Sequence, residues 1–232
     1  MTYLFFDTET THKDETGRLV QLAFKLSCEK TIFNELFKPP TPISYEAMSV
    51  HHITNEQVAD KKTFAESGYK ETLQADFNKF LPVAHNAKFD VDILQREGME
   101  LKRWICTLKV AQTLLVMPMY KLQYLRYRLS LPVDDGATAH DAEGDVMVLE
   151  QLFYYLLDEA KKQFECDEDE AIEKMLKITA DPLLIRAMPF GKYYGQSFEH
   201  IVGCDRQYLE WLRGKPDIEP DLYFTINHWL KK

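Results

Sequence analysis

Three short stretches of the chain carry acids at spacings suited to metal-assisted chemistry: Asp7 and Glu9 in FFDTET, Asp90 in AHNAKFDVDIL, and Asp145 in HDAEGD. His140 opens the last of these. Residues two apart on a strand point to the same side, so Asp7 and Glu9 can face one site. With 37 acids in 232 residues, acid-x-acid pairs arise by chance roughly six times, and a solvated strand end explains such a pair alone. The residues before the pair change that reading. Tyr3, Leu4, Phe5 and Phe6 are apolar on both faces, as in a central strand, whose end opens onto the crevice where α/β sheets bind ligands.

Asp90 stands at the start of an expected helix, and Asp92 lies about 200° further round it, so only one of them can face a site. Phe89, Ile93 and Leu94 mark the packing side and favour Asp90; the bland alternative is a carboxylate attracted to a helix N-terminus. Asp145 begins the longest expected helix, and His140 falls in the loop before it, which suits a base beside a metal. Asp141 and Glu143 are accounted for as an acidic first turn.

Four carboxylates cannot share a small site unaided. Two like charges 4 Å apart repel by about 4 kcal/mol at an effective dielectric of 20, so the cluster must protonate, disperse or hold cations. Two divalent ions would balance it, and oxygen-only ligands select hard ions, Mg²⁺ or Mn²⁺. A paired site of this kind clamps the attacking and leaving oxygens of a phosphodiester.

The elements that must position these residues follow from periodicity. Tyr3 to Asp7, Leu19 to Leu26 and Thr31 to Phe37 predict an opening meander of three strands. Tyr69, Leu73, Phe77 and Phe80 keep helical spacing, Pro82 to His85 is a short buried-strand candidate, and Lys88 to Glu97 reads as a helix stopped by Gly98. Trp104 to Thr107 predicts a strand feeding a helix that runs through Leu115. Alternating β and α elements imply parallel pairing there. Val146, Leu149, Leu152, Phe153, Leu156 and Leu157 predict a helix over about 142–162. The acidic run from Cys166 to Glu173 reads as a solvated boundary. The expected domains are therefore 1–162, an acidic linker or helix over 163–180, and a small C-terminal unit over 181–232, with a helix from Asp205, as its cap, to Arg213.

The remaining composition sets bounds. Hydrophobic residues make up 45% of the chain, enough for a real core. A net charge of −9 argues against gripping nucleic acid by wholesale phosphate neutralisation, though not against local contacts. The four cysteines have no metal-ligand or disulfide spacing, and neither a secretory signal nor a membrane-length apolar run is present, so a cytoplasmic protein without membrane contact is expected. Tyr120, Tyr124 and Tyr127 with Lys121, Arg126 and Arg128 could track a strand, but Leu122, Leu125 and Leu129 favour an ordinary amphipathic helix.

Taken jointly, FFDTET, AHNAKFD and HDAEGD resemble, in order and separation, the three motifs of the DEDDh class of 3′-to-5′ exonucleases in the DnaQ-like superfamily. PISYEAMSVHHIT, WICTLKVAQTL, MPFGKYYGQSFEHIV and DRQYLEWL extend the likeness, over nearly the whole chain, to the exonuclease X-like branch of that class. The resemblance implies an α/β fold: an RNase H-like mixed five-stranded sheet flanked by helices, plus a small C-terminal domain. It implies that Asp7, Glu9 and Asp145 ligate one metal ion, that Asp7 bridges to a second, and that Asp90 holds the second largely through water. His140 is then the general base that takes a proton from the attacking water, with nucleoside 5′-monophosphates as products.

The same resemblance places Thr8, Thr10, Thr11 and His12 near the terminal nucleotide, together with Met48, His51, His85 and Asn86. Thr11 and His12 stand where many relatives have a glycine, and His52 where glycine or a basic residue is common, so substrate preference transfers less readily than chemistry. The expected substrate is a single-stranded or frayed DNA 3′ end, in repair or turnover, with a protein partner for the C-terminal unit a further expectation. The alternatives are a 3′-exoribonuclease and a polymerase-associated or nucleic-acid-end binding module.

Overall fold

A computed structural model of the chain describes residues 1–133 and 142–232. It divides into two compact units, Met1–Leu176 and Lys177–Lys232. The larger is built on a five-stranded sheet with the order β3-β2-β1-β4-β5. Strands β1 (Tyr3–Thr10), β2 (Leu19–Leu26) and β3 (Phe33–Leu36) pair antiparallel, whereas β4 (Leu81–Ala84) and β5 (Ile105–Cys106) run parallel to β1. This is the mixed sheet implied by the resemblance, flanked by helices.

β1 is central because both its faces are apolar. Tyr3 and Phe5 pack on Phe153 of the long helix α7 (Ala142–Phe164), with ring centroids 4.6 and 5.4 Å apart. On the opposite face Leu4 and Phe6 join a core with Leu73, Phe77, Val91 and Leu94, and Phe6 meets Phe77 edge-on at 5.1 Å. Those partners come from α3 (Lys70–Lys79) and α4 (Ala87–Arg96). α7 buries one continuous stripe, from Ala142 through Val146, Leu149, Phe153 and Leu156 to Ala160.

Two short helices, α1 (Tyr45–His51) and α2 (Asn55–Val58), follow β3; Ser44 caps the first by accepting from the Ala47 N–H at 3.1 Å. Helices α5 (Thr107–Leu114) and α6 (Leu122–Arg128) precede α7. In α6 Leu125 is fully buried and Tyr127 exposed, as for an ordinary amphipathic helix. The β1–β2 connection is fastened to α4: Arg18 pairs bidentately with Glu97 at 2.8 and 3.0 Å, and Arg96 donates to the Asp14 and Gly17 carbonyls. Gly17 is required there, since a Cβ would fall 2.4 Å from the His12 carbonyl oxygen.

The acidic run, expected as a solvated boundary within a linker or helix over 163–180, enters α8 (Glu168–Ala180). Its acids occupy the first turn, where the macrodipole favours them, Asp167 accepts from the Glu170 N–H at 3.0 Å, and Ala171, Ile172 and Met175 supply a buried face. In the smaller unit, α9 (Phe198–Arg213) begins earlier than Asp205 because Ser197 provides a first cap. The helix breaks at Asp205 (φ −153°, ψ 63°), whose carboxylate accepts from the Tyr208 N–H and so caps the second half. α10 (Pro220–Leu230) packs on α9 through Leu209, Leu212, Leu222 and Ile226. Among the described residues no helix is long and apolar enough to cross a membrane.

His85, at the end of β4, clips the sheet to the chain before α6. Its Nε2–H donates to the Tyr120 carbonyl at 2.8 Å and its Nδ1 accepts from the Thr107 hydroxyl at 3.0 Å. Burial outweighs the bond to Tyr120 and pushes the imidazole pKa down from 6.5 to about 4. The folded chain therefore binds fewer protons than the unfolded one between these values, and stability falls as pH drops from about 6.5 towards 4. Urea titrations at pH 7, 5.5 and 4.5 check this: His85→Gln should flatten the decline, and parallel declines in variant and wild type would count against it.

Candidate active site

The carboxylates of Asp7, Glu9 and Asp145 offer oxygens that all lie within 4.8 Å of one another. Their convergence follows from matched lengths. Asp7 and Glu9 continue the face of β1 on which Tyr3 and Phe5 meet Phe153. From Phe5 to Glu9 the strand advances about 13 Å, and from Phe153 back to Asp145 helix α7 retreats about 12 Å. One aromatic contact therefore sets the distance at which the acids meet.

Asp90 approaches from the opposite layer. β4 runs parallel to β1 with Phe5 level with Val83, so α4, starting at Ala87, opens beside the end of β1. Asp90 lies in its first turn and its Oδ1 accepts from both the Thr8 N–H at 3.0 Å and the Thr8 hydroxyl at 2.7 Å. Asp90 is thus held on the residue between Asp7 and Glu9, outside the group of three oxygens. It is only 3% exposed; burial, which exceeds the opposing effect of the Thr8 bonds, pushes its pKa up to about 7. Asp92 faces outward and pairs with Lys88 at 2.5 Å. His140, the expected base, and Asp141 lie outside the described residues.

A contact that sequence reasoning missed supports Asp145. Gln123 on α6 donates its Nε2–H to Asp145 Oδ1 at 2.5 Å, while its Oε1 is buried without a partner among the described residues. A buried acceptor calls for a donor, and water held by a cation would provide one. Together with an oxygen-only carboxylate set, this fits hard divalent ions such as Mg²⁺ or Mn²⁺. No local pattern marks Gln123; only a pairing of α6 with α7 would have found it.

The residues expected around the terminal nucleotide fall into two groups. Thr10, Thr11 and His51 are buried and bonded to one another's neighbourhood: the Thr10 hydroxyl donates to the His12 carbonyl, Thr11 Oγ1 accepts from the Arg18 N–H, and His51 Nε2–H donates to the Thr10 carbonyl at 3.2 Å. His51 Nδ1 accepts from the Ile53 N–H, and burial holds its pKa below the usual range. His51, like His85, spends both ring nitrogens on the protein, and Thr8 is committed to Asp90. His12 and Met48 are half-buried, and Asn86 is exposed in a left-handed conformation (φ 64°) just before α4. These three, together with the half-buried His85, keep accessible surface.

Comparison with known proteins identifies the family. The RNase T exonuclease family model matches residues 4–153. The chain is 30% identical to exodeoxyribonuclease 10 of Escherichia coli over 235 aligned residues, 97% of each chain, and 32% identical to the DNA polymerase III subunit epsilon of Treponema pallidum over 68% of this chain and 77% of that one. Among solved structures it resembles exonuclease X in complex with 5′ overhanging duplex DNA (25% identity, TM-score 0.57, 77% of this chain and 99% of that one). It shares its fold with E. coli exonuclease I in complex with a dT13 oligonucleotide (TM-score 0.58, 71% of this chain and 42% of that one, 18% identity). With the matching model spanning well over half of the sequence and the acids of its site gathered at the end of β1, the chain belongs to the RNase T exonuclease family of DnaQ-like nucleases.

Proposed function

We propose that the protein is a divalent-metal-dependent 3′-to-5′ exodeoxyribonuclease that releases nucleoside 5′-monophosphates from single-stranded or frayed DNA ends, in repair or turnover. The observation that carries this reading is the meeting of Asp7, Glu9 and Asp145 at the end of β1, with Asp90 alongside. The likeness along 97% of its length to a protein named as an exodeoxyribonuclease supports DNA as the substrate.

Each residue then has a task. Asp7, Glu9 and Asp145 would hold one cation, Asp7 would also face a second, and Asp90 would contact the second through water. Divalent ions held there would supply the positive charge that stabilises the phosphodiester transition state and the leaving oxygen. Thr8 fixes the Asp90 rotamer with two bonds to one oxygen, and Gln123 fixes that of Asp145. His140 would remove the proton of the attacking water, a role a neutral imidazole can fill near physiological pH. Asn86, His12, Met48 and His85 keep accessible surface and would border the terminal nucleotide.

A time course on matched 5′-labelled single-stranded DNA and RNA tests the reading. Wild type with Mg²⁺ should shorten DNA from its 3′ end, and EDTA or Asp145→Ala should abolish the ladder. His140→Ala should slow it by roughly 10²-fold or more. Faster loss of RNA would replace DNA as the substrate, and no ladder on either strand would overturn the proposal. Gln123→Leu, which removes the amide but keeps volume, should lower turnover about 10- to 100-fold with most of the loss in metal affinity; unchanged metal dependence would show that Gln123 does not position Asp145.

A further inference from the structure

The small unit differs in charge from the rest of the chain. Residues 177–232 hold eight basic and seven acidic residues, against 20 and 30 in residues 1–176. On this near-neutral unit three aromatic rings form a row with a lysine at each end. Tyr193, from the turn at Gly191–Tyr193, meets Tyr208 of α9 edge-on at 5.1 Å, and Tyr208 meets Trp211 at 5.7 Å with planes 33° apart. Lys192 Nζ sits 4.8 Å from the Tyr193 ring and 4.9 Å from that of Tyr208; Lys215 Nζ sits 4.3 Å from the Trp211 ring.

The row is built rather than incidental. Asp205 Oδ2 accepts from Lys192 at 2.7 Å and from the Tyr193 hydroxyl at 2.8 Å, and its Oδ1 accepts from the Tyr208 N–H, so one carboxylate ties the turn to the helix. Gly191 adopts φ +71°, and a Cβ there would stand 3.0 Å from the Tyr208 hydroxyl oxygen. Tyr193 and Tyr208 pack by one side against the unit's core of Met188, Phe198, Ile201, Leu209, Leu222 and Ile226, whereas Trp211 lies outside it. Trp211 is 57% exposed, Lys192 and Lys215 are exposed, and Lys215 forms no ion pair among the described residues. Trp211 thus offers a large ring surface to water at one end of the row.

We infer that this row is a binding site for single-stranded nucleic acid, with exposed bases stacking on Trp211 and its neighbours and the backbone phosphates meeting Lys215 and Lys192. Ring faces interleaved with cations suit a strand whose bases are unstacked, and every base has a face to offer, so the site is indifferent to sequence. The choice of nucleic acid as ligand rests on the exonuclease reading; the geometry of the row does not.

Binding of the full-length protein to a labelled oligothymidylate of about 20 nucleotides, in EDTA so that no strand is cut, tests the inference. Fluorescence anisotropy should show Trp211→Ala weakening binding about tenfold, within the range of one lost base stack. Trp211→Phe keeps a ring and should bind within about twofold of wild type while losing most of the quenching of tryptophan emission. Lys215→Ala should reduce the dependence of log K on log salt by about one. Wild-type affinity and salt dependence in both alanine variants would overturn the inference and leave the row as a face for a protein. Because no cleavage is involved, Trp211-dependent binding by a protein that degrades no strand would refute the proposed activity and not this site.

Discussion

Mutual repulsion of carboxylates is the constraint around which the larger unit is organised. Three acids with oxygens within 4.8 Å of one another repel by roughly 3–4 kcal/mol per pair at an effective dielectric of 20, and the fold holds them there regardless. It can do so because none of the three depends on a flexible segment. Asp7 and Glu9 ride on a strand buried on both faces, and Asp145 on a helix anchored by Val146, Leu149 and Phe153. The apolar contacts of Phe5 and Tyr3 with Phe153 thus work against the electrostatics a few residues further along the same two elements.

Polar side chains complete what packing begins. Thr8 gives two hydrogen bonds to a single oxygen of Asp90, yet burial still dominates and keeps that carboxyl prone to protonation without a cation nearby. Gln123 restrains Asp145 from a separate helix and leaves one buried acceptor for a donor from outside the described side chains. The histidines of the neighbourhood are treated differently. His51 and His85 are neutral pins whose pKa values are lowered by burial, so the structure around the site does not add positive charge through them.

Much of this was legible in the sequence, for reasons that can be named. β1 announced itself through a short run apolar on both faces and α7 through a long periodic stripe, and the order of the acidic motifs placed their ends together. The choice of Asp90 over Asp92 followed from helical geometry, and Asp92 indeed pairs with Lys88. Asp205 could be read as a cap, though not that Ser197 starts the helix about two turns earlier. Helices α1 and α2 were missed because they are too short for a periodic pattern; the capping box from Thr54 to Gln57 was the available signal. Gln123 and the committed ring nitrogens of His51 and His85 could not be read, since a side chain's partner is decided by long-range packing, and residue type alone leaves ligand and pin indistinguishable.

The central claim is that the three carboxylates are held together in order to hold cations. Titration of the metal-free protein with Mn²⁺, followed by calorimetry at pH 7.5, tests it directly. Saturable binding that Glu9→Gln weakens at least tenfold, with the fold intact by circular dichroism, is the result expected. Equal Mn²⁺ affinity in wild type and Glu9→Gln, or no binding by either, would contradict it.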